Sequence, residues 1–447
     1  MTTGRAPIRR RDHVRPDGGS ANEEEVPSMS IAQQPATAPA RSFVTHLESA
    51  IDGTQFAPDK PHTTHKGRPL WVRYDLAAIR EAVSRDEIES RQPSIWRWRE
   101  LLPGVRSSSV VTLGEGITPL LRCDRLGHRL GLENLFVKDE SQLPTGSFKS
   151  RGQAVAITMA KEFGITRVAI PTAGNAGGAM AAYAARAGIE AYVFMPADTP
   201  AINQFEAALA GARCFLVDGL IDDCAAIVRA GVERLGWFDI STLREPYRVE
   251  GKKTMGLELA QQFDWELPDV IIYPTGGGTG LIGMWKAFAE LHRLGWLAAK
   301  RMPRMVAVQS DGCAPIVRAY DGGQRFAEHF PAAATVASGI RVPVAVGDFM
   351  ILDALRESGG TAIAVEENRI LDGMRLGVTS EGIAFCPEAG ACVAAAETLR
   401  QRGWLAADER VVILNCGAAQ KYPHVAVPRL PRIQTVADVD WDSMTRD

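Results

Sequence analysis

Seven apolar, β-rich runs recur along this chain, at VAIP (168–171), AYVFMP (191–196), RCFLVD (213–218), DVIIYP (269–274), RMVAVQ (304–309), TAIAVE (361–366) and RVVILN (410–415). Between them lie alanine-rich helical stretches such as AGGAMAAYAARAG and LIGMWKAFAELHRLG. Strands that are apolar along their whole length, and not only at alternate positions, are buried on both faces. Strands that alternate with helices of this length build parallel sheets with helices packed on either side. The expected fold is therefore α/β with open, twisted parallel sheets, and 447 residues suffice for more than one domain. Such sheets leave crevices beyond the carboxyl ends of their strands, so ligand-contacting residues are expected there.

Four strand ends carry residues with chemistry to offer. After NLFVKDE (134–140), the stretch PTGSFKSRG (144–152) sets Lys149 between a glycine-containing turn and the apolar run AVAITMA. A cation is disfavoured at a helix start by the macrodipole. Lys149 is thus either a solvated surface lysine or an amine held where an aldehyde cofactor can reach it. The second end, PTAGNAGG (171–178), opens a helix at Asn175, a favoured capping residue. Backbone N–H groups at the same helix start can also hold a carboxylate. The third, PTGGGTG (274–280), exposes several N–H groups at a helix start with no side chain in the way, an arrangement suited to a dianionic phosphate. It lacks the GK[ST] ending of a nucleotide P-loop, and its spacing misses the dinucleotide fingerprint. The fourth, NCGAAQKYP (415–423), places Cys416 where a small side chain meets a ligand ring or simply fills the core.

Composition narrows the partners. A net charge of −3 gives no reason to expect nucleic acid. No apolar run approaches the roughly 20 residues that a membrane-spanning helix needs. The seven cysteines, at 123, 214, 224, 313, 386, 392 and 416, form no CxxC pair, which points to reduced thiols in a cytoplasmic protein. Residues 1–40 mix an arginine cluster, an acidic run and a Pro/Ala/Gln segment, and are expected to be a disordered extension. Residues 428–447 lack a periodic apolar pattern and are expected to be a tail. Within 41–100 the spacing hints at two small knuckles, but their tips are Ser49, Asp52, Thr64 and Lys66. His62 and His65 alone do not make a tetrahedral site, so a metal-free arm is expected.

Together these pieces resemble the fold-type II pyridoxal-phosphate enzymes and, within them, the threonine synthases. LGEGITPL (113–120), FVKDESQLPTGSFKSRG, TAGN, PYRVEGKKTMG (246–256), the glycine loop, EGIAFCPEAGA (381–391) and the final NxGxxxKYP match in order, from about residue 41 to 424. The resemblance implies two open α/β domains with pyridoxal 5'-phosphate in the cleft between them. A large cofactor-binding domain would comprise 101–147 and 251–427, with a small mobile domain at 148–250. Lys149 looks like the Schiff-base lysine and proton shuttle, and Asn175 like the asparagine that hydrogen-bonds the cofactor's phenolic oxygen. Gly276, Gly277, Gly278, Thr279 and Gly280 resemble the cofactor-phosphate loop, and Cys416 stands where the family faces the pyridine nitrogen. Thr172, Ala173 and Gly174 are similar to the loop that meets the substrate carboxylate. Arg248 resembles the arginine that grips the substrate's own phosphate, with Lys253 assisting. The implied reaction converts O-phospho-L-homoserine and water to L-threonine and phosphate. Lys149 would remove the α proton and then a β proton, phosphate would leave the γ carbon, and water would add at the β carbon. A homodimer acting on a phosphorylated amino acid, without nucleic-acid or membrane partners, is the expected assembly.

Departures from the pattern keep a second reading open. All four thiolate positions of the relatives' zinc ribbon are lost in the arm. Ala173 stands where serine is common, Cys416 replaces threonine, and Ala418 and Ala419 replace Ser-Gly. Thr242 and Leu243 are not the Asn-Ser pair of some threonine synthases. Serine and threonine dehydratases use serine or cysteine at the position of Cys416. A dehydratase, or another β/γ-replacement enzyme of amino-acid metabolism, is the alternative.

Overall fold

The computed structural model describes residues 42–104, 106–298, 301–425 and 432–441. The extension expected at 1–40 and half of the tail expected at 428–447 lie outside them. All seven apolar runs, and NLFVKDE, form strands.

Two parallel sheets carry the fold. The larger has six strands in the order Thr361–Val365, Arg304–Ser310, Val270–Pro274, Arg410–Asn415, Asn134–Asp139, Leu120–Arg122, antiparallel only at the last pair. The smaller has four, in the order Arg213–Val217, Glu190–Pro196, Arg167–Pro171, Phe238–Asp239. The continuous apolar strands of the larger sheet serve two cores. Val270 and Ile272 face one, with Val411, Ile413 and the helix Pro387–Gln401. Ile271 and Tyr273 face the other, with Val412, Leu414 and the helices Tyr247–Gln262 and Thr279–Leu294. This is the period-2 alternation of a strand buried on both sides.

Strand order decides where the site falls. Arg410–Asn415 lies between Val270–Pro274 and Asn134–Asp139 and runs parallel to both. The segments that follow these three neighbours are the ones bearing Cys416, the glycine loop and Lys149. Asn175 follows Arg167–Pro171, an inner strand of the other sheet.

The helix Tyr247–Gln262 runs between the helices Lys149–Glu162 and Thr279–Leu294 at distances only glycine allows. A Cβ at Gly251 would come within 2.0 Å of the Arg151 carbonyl oxygen, and one at Gly283 within 2.9 Å of the Lys252 backbone. Buried ion pairs lock the same junction. Arg151 reaches Glu140 and Glu258, each at 2.6 Å, and Lys138 reaches Glu258 at 2.8 Å, all four side chains fully buried.

At the N-terminal arm, Gln55–Phe56, Val44–Ser49 and Leu70–Tyr74 form a three-stranded antiparallel sheet. Two of the knuckle tips hold one another: Lys66 reaches the Asp52 carboxylate at 3.0 Å.

Candidate active site

A cleft of about 290 Å³ collects Lys149, Thr172, Ala173, Gly174, Asn175, Gly276, Gly277, Gly278, Thr279 and Cys416 along its walls. Of the residues singled out from the sequence, Gly280, Arg248 and Lys253 do not line it directly.

Lys149 is the first residue of the helix Lys149–Glu162 and is half-buried. Its turn is sewn to the neighbouring strand end: Phe148 N–H donates to the Cys416 carbonyl at 3.0 Å, and Ala418 N–H to the Gly146 carbonyl at 2.9 Å. The amine lies 3.9 Å from the centre of the Phe148 ring. Burial, reinforced by the nearby Arg248 cation, pushes its pKa down to about 8. A second amine backs it. Lys252, fully buried, donates to the Phe148 carbonyl and lies 4.1 Å from the same ring, where burial and the neighbouring Lys149 drive its pKa well below the ordinary value.

Opposite, Gly276, Gly277 and Gly278 lead into the helix Thr279–Leu294, whose cap residue Gly278 has φ 72° and supplies no side-chain cap. The first N–H groups of that helix are therefore left to a ligand. Side chains would not fit in this loop. A Cβ at Gly276 would lie 2.8 Å from the Gly339 carbonyl oxygen, and one at Gly277 would lie 2.7 Å from Thr242. Gly280 sits one residue inside the helix, where a Cβ would strike the Tyr273 hydroxyl at 2.0 Å, so its part is close packing beneath the loop.

Asn175 begins the helix Asn175–Ala187. Its Nδ2 donates to the Tyr422 hydroxyl at 3.2 Å, and its Oδ1 accepts from Asn203 Nδ2 at 2.9 Å. Thr172 Oγ1 is taken up by the backbone of Gly174, so the 172–174 loop presents mainly backbone to the cleft. Cys416 is buried at the end of Arg410–Asn415, and burial pushes its thiol up to about 12 although Lys149 pulls the other way. It is a neutral thiol at any physiological pH.

Arg248 lies behind the cleft wall, close enough to Lys149 to shift it. Glu245 accepts the N–H groups of Tyr247 and Arg248 at 2.6 and 3.1 Å, fixing the helix start. The preceding turn passes through Leu243 at φ 59°, a conformation leucine rarely holds. Arg248 Nη1 donates to the Ile240 carbonyl at 2.9 Å, but Nε and Nη2 are buried without a hydrogen-bond partner.

Lys253 is not brought to the cleft. It turns to the far side of its helix and pairs with Glu250 and Glu290, each at 2.8 Å, beside Lys286 and Tyr74. Those carboxylates raise its pKa against the cost of burial and hold it as a structural cation. The helical period explains the difference: Lys252, four residues after Arg248, shares its face, whereas Lys253 does not.

Glu388, Tyr422, Asn203, Arg244 and Arg341 were not singled out. Glu388, Tyr422, Arg244 and Arg341 line the cleft, and Asn203 bonds Asn175 from behind. Glu388 and Tyr422 fall inside the motifs EGIAFCPEAGA and KYP, yet only the fold shows that they meet.

The cleft fits pyridoxal 5'-phosphate on its own chemistry: a side-chain-free helix start for the phosphate, an amine of lowered pKa for the aldehyde, and a small neutral thiol between them. A family model described as "Pyridoxal-phosphate dependent enzyme" matches residues 111–417. The chain is 35% identical over 402 residues to a threonine synthase of Methanosarcina acetivorans, spanning 89% of this chain and 97% of that one. It is 34% identical over 367 residues to a threonine synthase of Methanocaldococcus jannaschii, spanning 82% and 90%. Among solved structures, maize serine racemase shares the fold at a TM-score of 0.60, with 22% identity over 76% of this chain and 94% of that one. The processed form of threonine deaminase isoform 2 from Solanum lycopersicum does so at 0.60, with 18% identity over 83% and 98%.

Proposed function

Since the chain belongs to the pyridoxal-phosphate dependent enzymes, and within them to the threonine synthases, we infer that its cleft converts O-phospho-L-homoserine and water to L-threonine and phosphate. The observation that carries the substrate assignment is the orphaned edge of Arg248. Two guanidinium nitrogens buried without partners next to the candidate base are costly unless a ligand supplies acceptors. A planar donor edge suits a phosphate oxygen pair.

In this reading the N–H groups at the start of Thr279–Leu294 hold the cofactor phosphate, and Cys416 packs at the cofactor ring. The bound cofactor supplies an electron sink, and the chain does the rest. Lys149 Nζ, half-buried and of lowered pKa, takes the α proton and then the β proton. Arg248 holds the substrate phosphate until it leaves the γ carbon, and the backbone of 172–174 meets the substrate carboxylate. We group 101–147 with 251–427 as the large domain and treat 148–250 as the small mobile one. We further read the protein as a cytoplasmic homodimer; among the described residues no helix is long and apolar enough to cross a membrane.

A second reading, a dehydratase of serine or threonine, draws on Cys416 and Ala173. Turnover assays with O-phosphohomoserine, O-phosphoserine, threonine and serine decide between them. Threonine and phosphate formed from O-phosphohomoserine alone are expected, and a preference for unphosphorylated amino acids would overturn the assignment.

A further inference from the structure

An asparagine amide can present either an N–H or a carbonyl oxygen to a ligand, and which one it presents depends on its other partners. Around Asn175 those partners leave no choice. Glu388 Oε1 receives the Gly339 N–H at 2.7 Å, and a carboxylate oxygen has only lone pairs to offer, so it faces Tyr422 as an acceptor. The Tyr422 hydroxyl, 3.1 Å away, must then donate its only proton to Glu388. Its oxygen is left as an acceptor toward Asn175, and the amide atom 3.2 Å from it has to be Nδ2. Asn203, 2.9 Å from Oδ1 on the other side, is itself an amide that can present either atom, so it follows this choice by offering Nδ2 and does not impose it. One N–H of Asn175 remains unspent, and Asn175 lines the cleft.

We propose that Glu388 and Tyr422 are positioning residues that force Asn175 to offer a hydrogen-bond donor, and never an acceptor, to the phenolic oxygen of the cofactor. The inference rests on the site reading above, in which Asn175 faces that oxygen. The relay requires Tyr422 to keep its proton. Burial first, then the Glu388 carboxylate and the Cys386 thiol, hold its pKa well above the ordinary phenol value. The Gly339 and Tyr422 contacts converge on one carboxylate, so Glu388 also ties the 338–340 turn to the residue that orients Asn175.

The test is a pH titration of the visible absorbance of the holoenzyme, together with the dissociation constant of the cofactor. A donated N–H favours the ionised phenolic oxygen, so losing it raises the apparent pKa. Tyr422→Phe leaves the amide free to turn and should raise that pKa by at least half a unit, weakening cofactor binding about three- to tenfold. Glu388→Leu should do the same, and combining the two should add little, because one relay is broken either way. Glu388→Gln can keep an oxygen where the Gly339 and Tyr422 donors converge and should titrate like the parent. A Gln variant that matched Leu would show that charge, not the relay, is what counts, and would overturn the proposal. Asn175→Ala separates the two layers. If it shifts the titration while Tyr422→Phe does not, the relay is wrong and the site reading stands. If Asn175→Ala leaves the titration unmoved, the site reading itself falls and takes the relay with it.

Discussion

Phe148 donates its backbone N–H to the carbonyl oxygen of Cys416 across 3.0 Å. That bond joins the segments that follow two neighbouring parallel strands and thereby fixes the candidate base beside the residue expected to face the cofactor ring. Ala418 to Gly146 repeats the join, and Lys252 fastens the Phe148 carbonyl from the helix behind. The turn that leads into Lys149 is thus held by backbone on one side and by a buried lysine on the other.

Covalent attachment follows from that position. Borohydride reduction of the holoenzyme should fix the cofactor on the peptide that contains Lys149. A label on Lys138 or Lys252 would contradict the assignment. Lys149→Ala should still take up the cofactor through the glycine loop but lose turnover by several orders of magnitude, as expected when the group that moves the protons is removed.

The lowered pKa of Lys149 sets a pH dependence for cofactor capture. Only the neutral amine attacks an aldehyde, so the rate at which apoprotein gains visible absorbance should climb as pH rises through about 8 and level off above it. Arg248→Ala removes the cation that helps depress this value, so the midpoint should move upward. A parent midpoint near the ordinary lysine value of about 10.4 would mean that the amine is solvated.

Arg248→Ala should also separate binding from chemistry at the substrate. A charge-assisted contact of about 1.5 to 3 kcal/mol corresponds to roughly a 10- to 100-fold loss. The loss should appear in KM for O-phosphohomoserine while the cofactor spectrum stays unchanged. An unchanged KM would leave the orphaned guanidinium edge without its ligand.

The buried cluster of Arg151, Glu140, Glu258 and Lys138 predicts a stability effect remote from the chemistry. Burial alone would raise the Glu258 carboxyl pKa, and Arg151 and Lys138 overcome that and lower it. A carboxyl lowered on folding adds stability above its unfolded value of roughly 4.3, and that stability is lost as pH falls through the folded value. Glu258→Ala leaves Lys138 buried without a carboxylate and Arg151 with Glu140 alone, and should cost about 3 to 5 kcal/mol by denaturant unfolding. A loss under 1 kcal/mol would show that water reaches the cluster.

Much of this site was legible because parallel α/β sheets gather ligand contacts at strand ends. PTGSFKSRG, PTAGN, PTGGGTG and NCG each follow an apolar strand, and the fold brings residues of all four to one cleft. What was not legible depends on rotation and on partners distant in sequence. Two adjacent lysines in EGKKT look equivalent as letters, yet the helix turns Lys252 toward Phe148 and Lys253 toward Glu250 and Glu290. The helical period counted from Arg248 was the available signal. Nothing local could show that Glu388 meets Tyr422, because that pairing is made by a helix start and a strand-end loop 34 residues apart.

Cys416 separates the two enzyme readings most sharply. A carboxylate opposite the pyridine nitrogen would keep it protonated and draw electrons strongly. A thiol whose pKa is pushed up to about 12 stays neutral and is a weak donor and acceptor, so the ring nitrogen should be largely unprotonated. Proton movements would then depend more on Lys149, whose amine the same loop holds in place. Threonine occupies nearly the same volume and makes a stronger hydrogen bond. Cys416→Thr should therefore keep the fold and the cofactor and change the rate by no more than about tenfold, the value of one modest hydrogen bond. Cys416→Asp puts a charge beside the ring and should lower activity and shift the visible absorbance of the bound cofactor. Steady-state assays and absorbance spectra of the three proteins check both statements. Abolished turnover in Cys416→Thr would give the thiol a chemical role that the threonine synthase reading lacks. A Cys416→Thr protein that gained O-phosphohomoserine activity absent from the parent would show that this chain had left that reaction behind.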